Sequence, residues 1–228
     1  LDEIIRRLKE HEPIQYILGT TEFYGLNFNC TPGVLIPRPE TEELVDWIIK
    51  ENSFVGPVII DMGTGTGCIA VSLQKNIPGS TVFACDISPV CIETATQNAK
   101  LNGSKVVVVK YDMLKGDLLA GFPAFDIVVS NPPYVRESEK IGMEKNVTEF
   151  EPGLALFVSN ENPLIFYEKI ADFALLNLKD TGRLYFEINE ALGDQTCDML
   201  KTKGFTDIVL KKDLNSRNRM VRGCFNRQ

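Results

Sequence analysis

Four consecutive residues, Asn131-Pro132-Pro133-Tyr134, carry the most specific chemistry in this chain. Two successive prolines fix two φ angles and remove two backbone N–H donors. The first of them also biases Asn131 towards extended geometry. What remains is a stiff turn rich in acceptors: the Asn131 side-chain oxygen, the main-chain carbonyls and the aromatic plane of Tyr134. A planar amino group has two donors to place, and this turn suits it; by itself the turn reads equally as a rigid, proline-closed loop. A second signal is Asp61-Met62-Gly63-Thr64-Gly65-Thr66-Gly67. Its glycines let the backbone approach a ligand closely, and the helix that follows offers free N–H groups and a positive dipole end suited to a carboxylate or phosphate. A dinucleotide fingerprint would need a third glycine where Cys68 stands, so the spacing here is Asp-x-Gly-x-Gly-x-Gly. Asp86 can accept both hydroxyls of a ribose or cap a helix ahead of Pro89. Asp112 and Met113 follow a third β-prone run.

These residues need a scaffold that brings them to one edge. From Val58 the hydrophobic pattern alternates between strand and helix. Strands are expected at Val58–Asp61, Thr81–Asp86, Val106–Lys110, Phe125–Ser130, Arg183–Ile188, Thr206–Leu210 and Met220–Phe225. Helices are expected at Cys68–Lys75, Pro89–Leu101, Pro163–Leu178 and Gly193–Lys203. Such alternation implies an α/β fold with a mainly parallel sheet covered on both faces. The glycine loop, two acidic strand ends and the Asn-Pro-Pro-Tyr turn then fall at one rim, where open α/β sheets bind ligands. Ahead of this region, Leu1–Glu10 has the apolar spacing of one helical face, ended by Pro13. Gln15–Leu18 and Glu22–Cys30 are β-prone and predict a small hairpin. Ile36-Pro37-Arg38-Pro39-Glu40-Thr41 leads into an amphipathic helix carrying Leu44, Val45, Ile48 and Ile49. Arg136–Glu151 is polar and aperiodic, which predicts a long loop beside the turn, placed to act as a lid.

Composition narrows the function classes. A length of 228 residues holds one large domain, or one with a small appendage. The net charge of −7 provides no overall basic field for duplex DNA or an anionic membrane. No apolar run approaches the ~20 residues that span a bilayer, and there is no signal-peptide pattern. The six cysteines are scattered, without a Cys-x-x-Cys pair, which suits reduced thiols in a cytoplasmic protein. The single histidine, His11, reads as a surface residue and rules against a Ser-His-Asp triad or a histidine metal site. The chain opens on Leu1 rather than Met, which reads as a fragment.

Taken together, Glu12-Pro13-Ile14-Gln15-Tyr16, Leu35–Glu42, Asp61–Gly67, Asn131–Tyr134 and Phe150-Glu151-Pro152 resemble the PrmC/HemK family of protein N5-glutamine methyltransferases. The resemblance runs from about Pro13 to Phe225. It implies a class I S-adenosylmethionine-dependent, Rossmann-like methyltransferase fold whose seven-stranded sheet ends in an antiparallel strand, Met220–Phe225. It also implies three regions: residues 1–12 as the end of an N-terminal helical domain, 13–40 as a β-hairpin linker and 41–228 as the catalytic domain. The cofactor implied is S-adenosyl-L-methionine, leaving S-adenosyl-L-homocysteine, held by Asp61, Gly63, Thr64, Gly65, Thr66, Gly67, Asp86, Asp112, Met113 and Asn131. In that role Asp112 meets the adenine amino group and Met113 lies against the ring, at a position where some family members carry an aromatic residue. The partner implied is a peptide-chain release factor, whose Gly-Gly-Gln glutamine meets Asn131, Pro132, Pro133 and Tyr134. The expected enzyme is a monomer, away from membranes and without direct nucleic-acid binding.

An amide nitrogen is a poor nucleophile because its lone pair is delocalised into the carbonyl. Asn131 Oδ1 and the Pro132 carbonyl, by accepting both amide hydrogens, would aim that nitrogen and stabilise its developing positive charge. Tyr134 would pack on the amide plane. Two other readings share parts of this pattern: an amino-methyltransferase acting on adenine or cytosine of nucleic acid, and a non-catalytic module that binds S-adenosylmethionine. Elsewhere, Phe166, Ile170, Phe173 and Ala174 read as core. Lys211, Lys212, Arg217, Arg219 and Arg222 read as a solvated basic face, and Glu149 and Glu151 as residues that shape the substrate loop.

Overall fold

A computed structural model describes residues 1–52, 55–116 and 122–226 of the chain. Helices α1 (Asp2–Lys9) and α2 (Ile14–Leu18) lead to a hairpin of β1 (Thr20–Phe23) and β2 (Leu26–Asn29). Next come α3 (Pro39–Glu51), β3 (Val58–Met62), α4 (Cys68–Asn76), β4 (Thr81–Asp86), α5 (Pro89–Leu101), β5 (Val107–Lys110) and β6 (Phe125–Ser130). An inserted stretch holds β7 (Val135–Arg136), a 3-10 turn over Glu137–Gly142, α6 (Lys145–Phe150), α7 (Gly153–Leu156) and β8 (Phe157–Val158). The chain continues through α8 (Ile165–Asn177), β9 (Leu178–Glu187), a 3-10 turn over Glu190–Leu192, α9 (Gly193–Thr202), β10 (Thr206–Lys212) and β11 (Asn218–Cys224).

The main sheet has seven strands in the order β10-β11-β9-β6-β3-β4-β5. β5, β4, β3, β6 and β9 run parallel, while β11 is antiparallel to both of its neighbours. The antiparallel final strand expected from the sequence is therefore present, slotted between β9 and β10. Strand order reverses at β3, which pairs with β4 on one side and β6 on the other. A crevice opens at such a switch point, outside the carboxyl ends of the strands.

Residues of alternate parity feed two cores, one on each face of the sheet. Ile59, Ile127 and Val129 pack with α3 and α4 through Leu44, Ile48, Ile69 and Leu73. Ile60, Val128, Leu184 and Phe186 pack with α8 and α9 through Tyr167, Ile170, Ala174 and Leu200. Phe173 and Ala174 are buried in that second core and Phe166 packs at its margin, as their spacing predicts.

Two expectations are corrected. Gln15–Leu18 is a single helical turn, and the hairpin is confined to Thr20–Asn29. Extended Pro13 opens that turn and Gly19, at φ 74°, closes it, while Tyr16 turns inward onto Cys30 and Ile36. Arg136–Glu151 is not a long loop. The Glu139 carboxylate accepts from the Arg136 backbone N–H (2.8 Å) and from Asn189 Nδ2 (2.9 Å), winding the first turn. Phe150 packs on the Tyr16 cluster, and Glu151 accepts from the Ile36 N–H (3.2 Å) and from Arg38 (2.5 Å). A segment pinned at both ends is a wall of the cleft rather than a lid.

The basic C-terminal residues are largely engaged within the fold. Arg222 pairs with Glu51, Arg219 Nε with Asp213 (3.1 Å), Arg217 with Glu190 (3.5 Å), and Lys211 Nζ lies 5.0 Å from the Trp47 ring centroid.

Candidate active site

The site is built where β3 and β6 lie side by side. Asp61 is paired in register with Val129, so the residues after each strand emerge together. The Ser130 hydroxyl, wholly buried, donates to the Met62 carbonyl at 2.5 Å and ties the two strand ends. The glycine loop and the Asn-Pro-Pro-Tyr turn are thus adjacent.

The glycine loop is bonded down onto β4. The Cys85 carbonyl accepts from the N–H groups of Gly63 (2.9 Å) and Thr64 (3.0 Å), and Asp86 Oδ2 accepts from Gly65 N–H (3.0 Å). Gly67 N–H donates to the Thr64 carbonyl at 2.8 Å. Gly63, Gly65 and Gly67 all have positive φ, between 55° and 81°, a region L side chains avoid. Gly67 is further constrained by α5, because a Cβ there would lie 3.2 Å from the Ala95 Cα. Asn98, on the same helix, donates to the Thr66 carbonyl (2.9 Å) and bonds the Asn29 backbone, fastening the hairpin to the loop.

These bonds alter the anion-binding expectation. The loop N–H groups of Gly63, Thr64, Gly65 and Gly67 already have partners, so they are not a free cradle for a phosphate. The lining is acidic instead. Asp61 is fully buried; its Oδ2 accepts from the Thr64 hydroxyl at 2.5 Å while Oδ1 has no partner. Burial raises its carboxyl to about 7, against the opposing pull of the Thr64 and Ala70 hydrogen bonds. Asp86 is buried and accepts from Ser88 N–H at 2.9 Å through Oδ1. Such a rim favours a cationic or neutral, hydroxyl-bearing ligand over a phosphate. The orphaned Asp61 oxygen is an acceptor that an ammonium group would satisfy.

Asp112 follows β5 and is turned towards its own loop. Its Oδ1 accepts from the N–H groups of Leu114 (3.1 Å) and Lys115 (3.4 Å), and Oδ2 pairs with the Lys115 ammonium. Met113 lies over the glycine loop, its methyl 3.2 Å from where a Cβ on Gly63 would stand. The glycine loop, Asp86, Asp112 and Met113 therefore follow neighbouring strand ends at one rim, with Asp112 the most committed to local bonds.

On the other side of the crevice, Asn131 is half-buried, Pro132 buried and Tyr134 half-buried. Asn131 Nδ2 donates to Thr41 Oγ1 at 3.2 Å, and the Thr41 hydroxyl donates to Glu187 Oε2 at 2.6 Å. The Tyr134 hydroxyl donates to Glu187 Oε1 at 3.1 Å. Asn189 Nδ2 donates to the Tyr134 carbonyl at 3.1 Å. A groove beside the turn is walled by Leu35, Arg38, Val135, Ala155 and Leu156. Among the described residues, no group of three His, Cys, Asp or Glu side chains is placed to hold a metal ion.

Comparison with known proteins supplies the lineage. A family model described as "Methyltransferase small domain" matches residues 41–149. A protein of Flavobacterium psychrophilum named release factor glutamine methyltransferase is 48% identical, over 98% of this chain and 79% of its own length. One of the same name from Bacteroides thetaiotaomicron is 47% identical, over 97% of this chain and 79% of its own. The chain belongs to the release factor glutamine methyltransferase family. Solved structures agree at the level of fold alone. A Pyrococcus furiosus methyltransferase superposes with TM-score 0.64 at 19% identity, covering all of both chains. A 16S rRNA methyltransferase from T. thermophilus gives TM-score 0.66 at 17% identity, over 91% of this chain and 50% of that one.

For this family member, sequence reasoning missed Glu187 and Asn189 behind the Asn131 turn, and assigned no site role to Thr41 or Ser130, which it met only in a motif and a strand. Glu187 gave a usable signal, a lone carboxylate closing the apolar run Leu184-Tyr185-Phe186. The same signal had marked Asp61 and Asp86.

Proposed function

We propose that the chain transfers a methyl group from S-adenosyl-L-methionine to the side-chain amide nitrogen (N5) of the glutamine in the Gly-Gly-Gln motif of peptide-chain release factors, acting in the cytoplasm. The observation that carries this reading is the hydrogen-bonded adjacency of the glycine loop and the Asn131 turn through Ser130 and Met62. Donor and acceptor sites at one crevice allow transfer without an intermediate carrier.

On the donor side, Asp61 would take the ammonium end, Asp86 the ribose hydroxyls, and Asp112 with Met113 the adenine. Gly63 to Gly67 would form the floor, with Thr64 and Thr66 bracing it. The donor supplies an electrophilic methyl on a sulfonium centre. On the acceptor side, Asn131 Oδ1 and the Pro132 carbonyl accept the two amide hydrogens and aim the nitrogen. Pro133 keeps the turn rigid, and Tyr134 stacks on the amide plane. Positive charge developing on the nitrogen is met by two fixed dipoles. As the nitrogen–methyl bond forms, the sulfur–methyl bond breaks to leave S-adenosyl-L-homocysteine, and the proton displaced from nitrogen passes to solvent; orientation of both partners contributes roughly 7–11 kcal/mol, so no strong base is needed.

Asn131→Ala should lower kcat on the order of 10²–10³-fold, the cost of one preorganised dipole, while changing donor affinity little. Near-normal turnover would remove Asn131 from the mechanism. The activity itself is tested by methyl transfer from labelled donor to a release factor, to a Gln→Ala release factor, and to DNA. Label in the first alone supports the reading; label in DNA, or equal label in both release factors, overturns it.

A further inference from the structure

Behind Asn131 a line of polar side chains runs into the interior and ends on a buried carboxylate. Glu187 closes β9, is 1% exposed and accepts two hydroxyls, from Thr41 at 2.6 Å and Tyr134 at 3.1 Å. Thr41 sits in the first turn of α3, is itself buried, and receives Asn131 Nδ2 at 3.2 Å. The direction of each bond follows from the inventory of protons. Burial raises the Glu187 carboxyl, while the hydrogen bonds from Thr41 and Tyr134 and the Arg219 charge pull it back and favour the ionised form, which only accepts. Thr41 therefore commits its single proton to Glu187 and turns a lone pair to Asn131. That lone pair can be met only by the amino end of the Asn131 carboxamide. The oxygen end is left facing the crevice.

Shape alone would not achieve this. The two ends of a carboxamide are nearly equal in size, and only their hydrogen-bond partners distinguish them. A reversed Asn131 would present two N–H donors to a substrate amino group that is itself a donor, and the contact would become repulsive.

We infer that Glu187, acting through Thr41, is the positioning residue that sets which end of the Asn131 amide faces the substrate nitrogen. The same carboxylate holds the Tyr134 ring by its hydroxyl, so one buried group orients both side chains of the turn. This rests on the reading above, in which Asn131 Oδ1 accepts from the substrate amide.

Glu187→Gln keeps the shape but offers Thr41 an N–H, freeing the Thr41 proton to turn towards Asn131. We expect kcat to fall about 10–100-fold, a fraction of the loss for Asn131→Ala, with KM and donor affinity within about twofold. Thr41→Val should reproduce the loss and Thr41→Ser should restore most of it. In an Asn131→Ala background, Thr41→Val should cost nothing more, since the group it positions is gone. Losses that multiply, or a Thr41→Val enzyme as fast as wild type, would overturn the inference. A second measurement needs no substrate. The Asn131 side-chain amide signals in a ¹⁵N spectrum, assigned by their disappearance in Asn131→Ala, should move in Thr41→Val with little change elsewhere. Unmoved signals would overturn the relay. Failure of wild-type protein to methylate a release factor would sink the proposed activity, while the amide signals, recorded also in Glu187→Gln, would still decide whether Glu187 acts on Asn131 through Thr41.

Discussion

Asp61 links the chemistry of the crevice to pH. Its carboxyl is raised to about 7 by burial, so the ligand-free fold favours the neutral form. That contribution to stability is full below the unfolded value near 4 and is lost as pH rises through about 7. Donor binding runs the other way, because an ammonium is best met by the ionised carboxylate. Affinity for S-adenosyl-L-methionine should therefore rise by up to about tenfold per pH unit between pH 5.5 and 7, then level off. Calorimetric titrations across that range should show the slope, and Asp61→Asn should flatten it. A wild-type affinity constant over the range would mean that Asp61 carries no charge change on binding.

At the scale of elements, the glycine loop is shaped by what packs on it as much as by its own backbone. Gly67 combines φ 81° with a backbone approach from α5, whereas Gly103 has φ 59° and open space around its missing Cβ. Alanine at Gly103 should cost about 1–2 kcal/mol for the left-handed backbone alone. Alanine at Gly67 must also push α5 away and should cost about 2–4 kcal/mol in urea melts. Equal losses would show that the contact with Ala95 gives way freely. The loop, its strand and the helices on either side were legible in the sequence because their signals are local: a glycine run, acidic strand ends and apolar periodicity. Gln15–Leu18 was misread because four residues carry no usable period, and the flanking Pro13 and Gly19 decide the helix. Arg136–Glu151 was misread because its order comes from distant partners, Asn189 for its first turn and Tyr16, Ile36 and Arg38 for its end. Glu187 offered the local signal of an acidic strand end, but its tie to the Asn131 turn was hidden for the same reason: its hydroxyl partner Thr41 is 146 residues away in sequence.

Across the whole molecule, long-range ties of this kind hold the cleft walls to the sheet. Arg38 and Glu151, 113 residues apart, join the segment before α3 to the inserted stretch; their side chains are 33% and 1% exposed. Arg38→Ala would strand the Glu151 charge in the interior with one backbone donor left. We expect a loss of about 2–3 kcal/mol, below the 3–5 typical of fully buried pairs because the arginine is partly hydrated. Glu151→Gln, which keeps the Ile36 bond without the charge, should cost less. Chemical denaturation of both variants tests the order, and the reverse ranking would refute it. The slotting of β11 between β9 and β10 has a consequence for synthesis. Until Asn218–Cys224 leaves the ribosome, β9 and β10 lack their shared neighbour and expose unsatisfied backbone edges. A nascent polypeptide stalled before Asn218 would also lack Arg219, the partner of Asp213. Completion of the sheet thus waits on the emergence of β11, and until then the open edges of β9 and β10 are exposed to wrong pairing, the hazard that chaperones guard against.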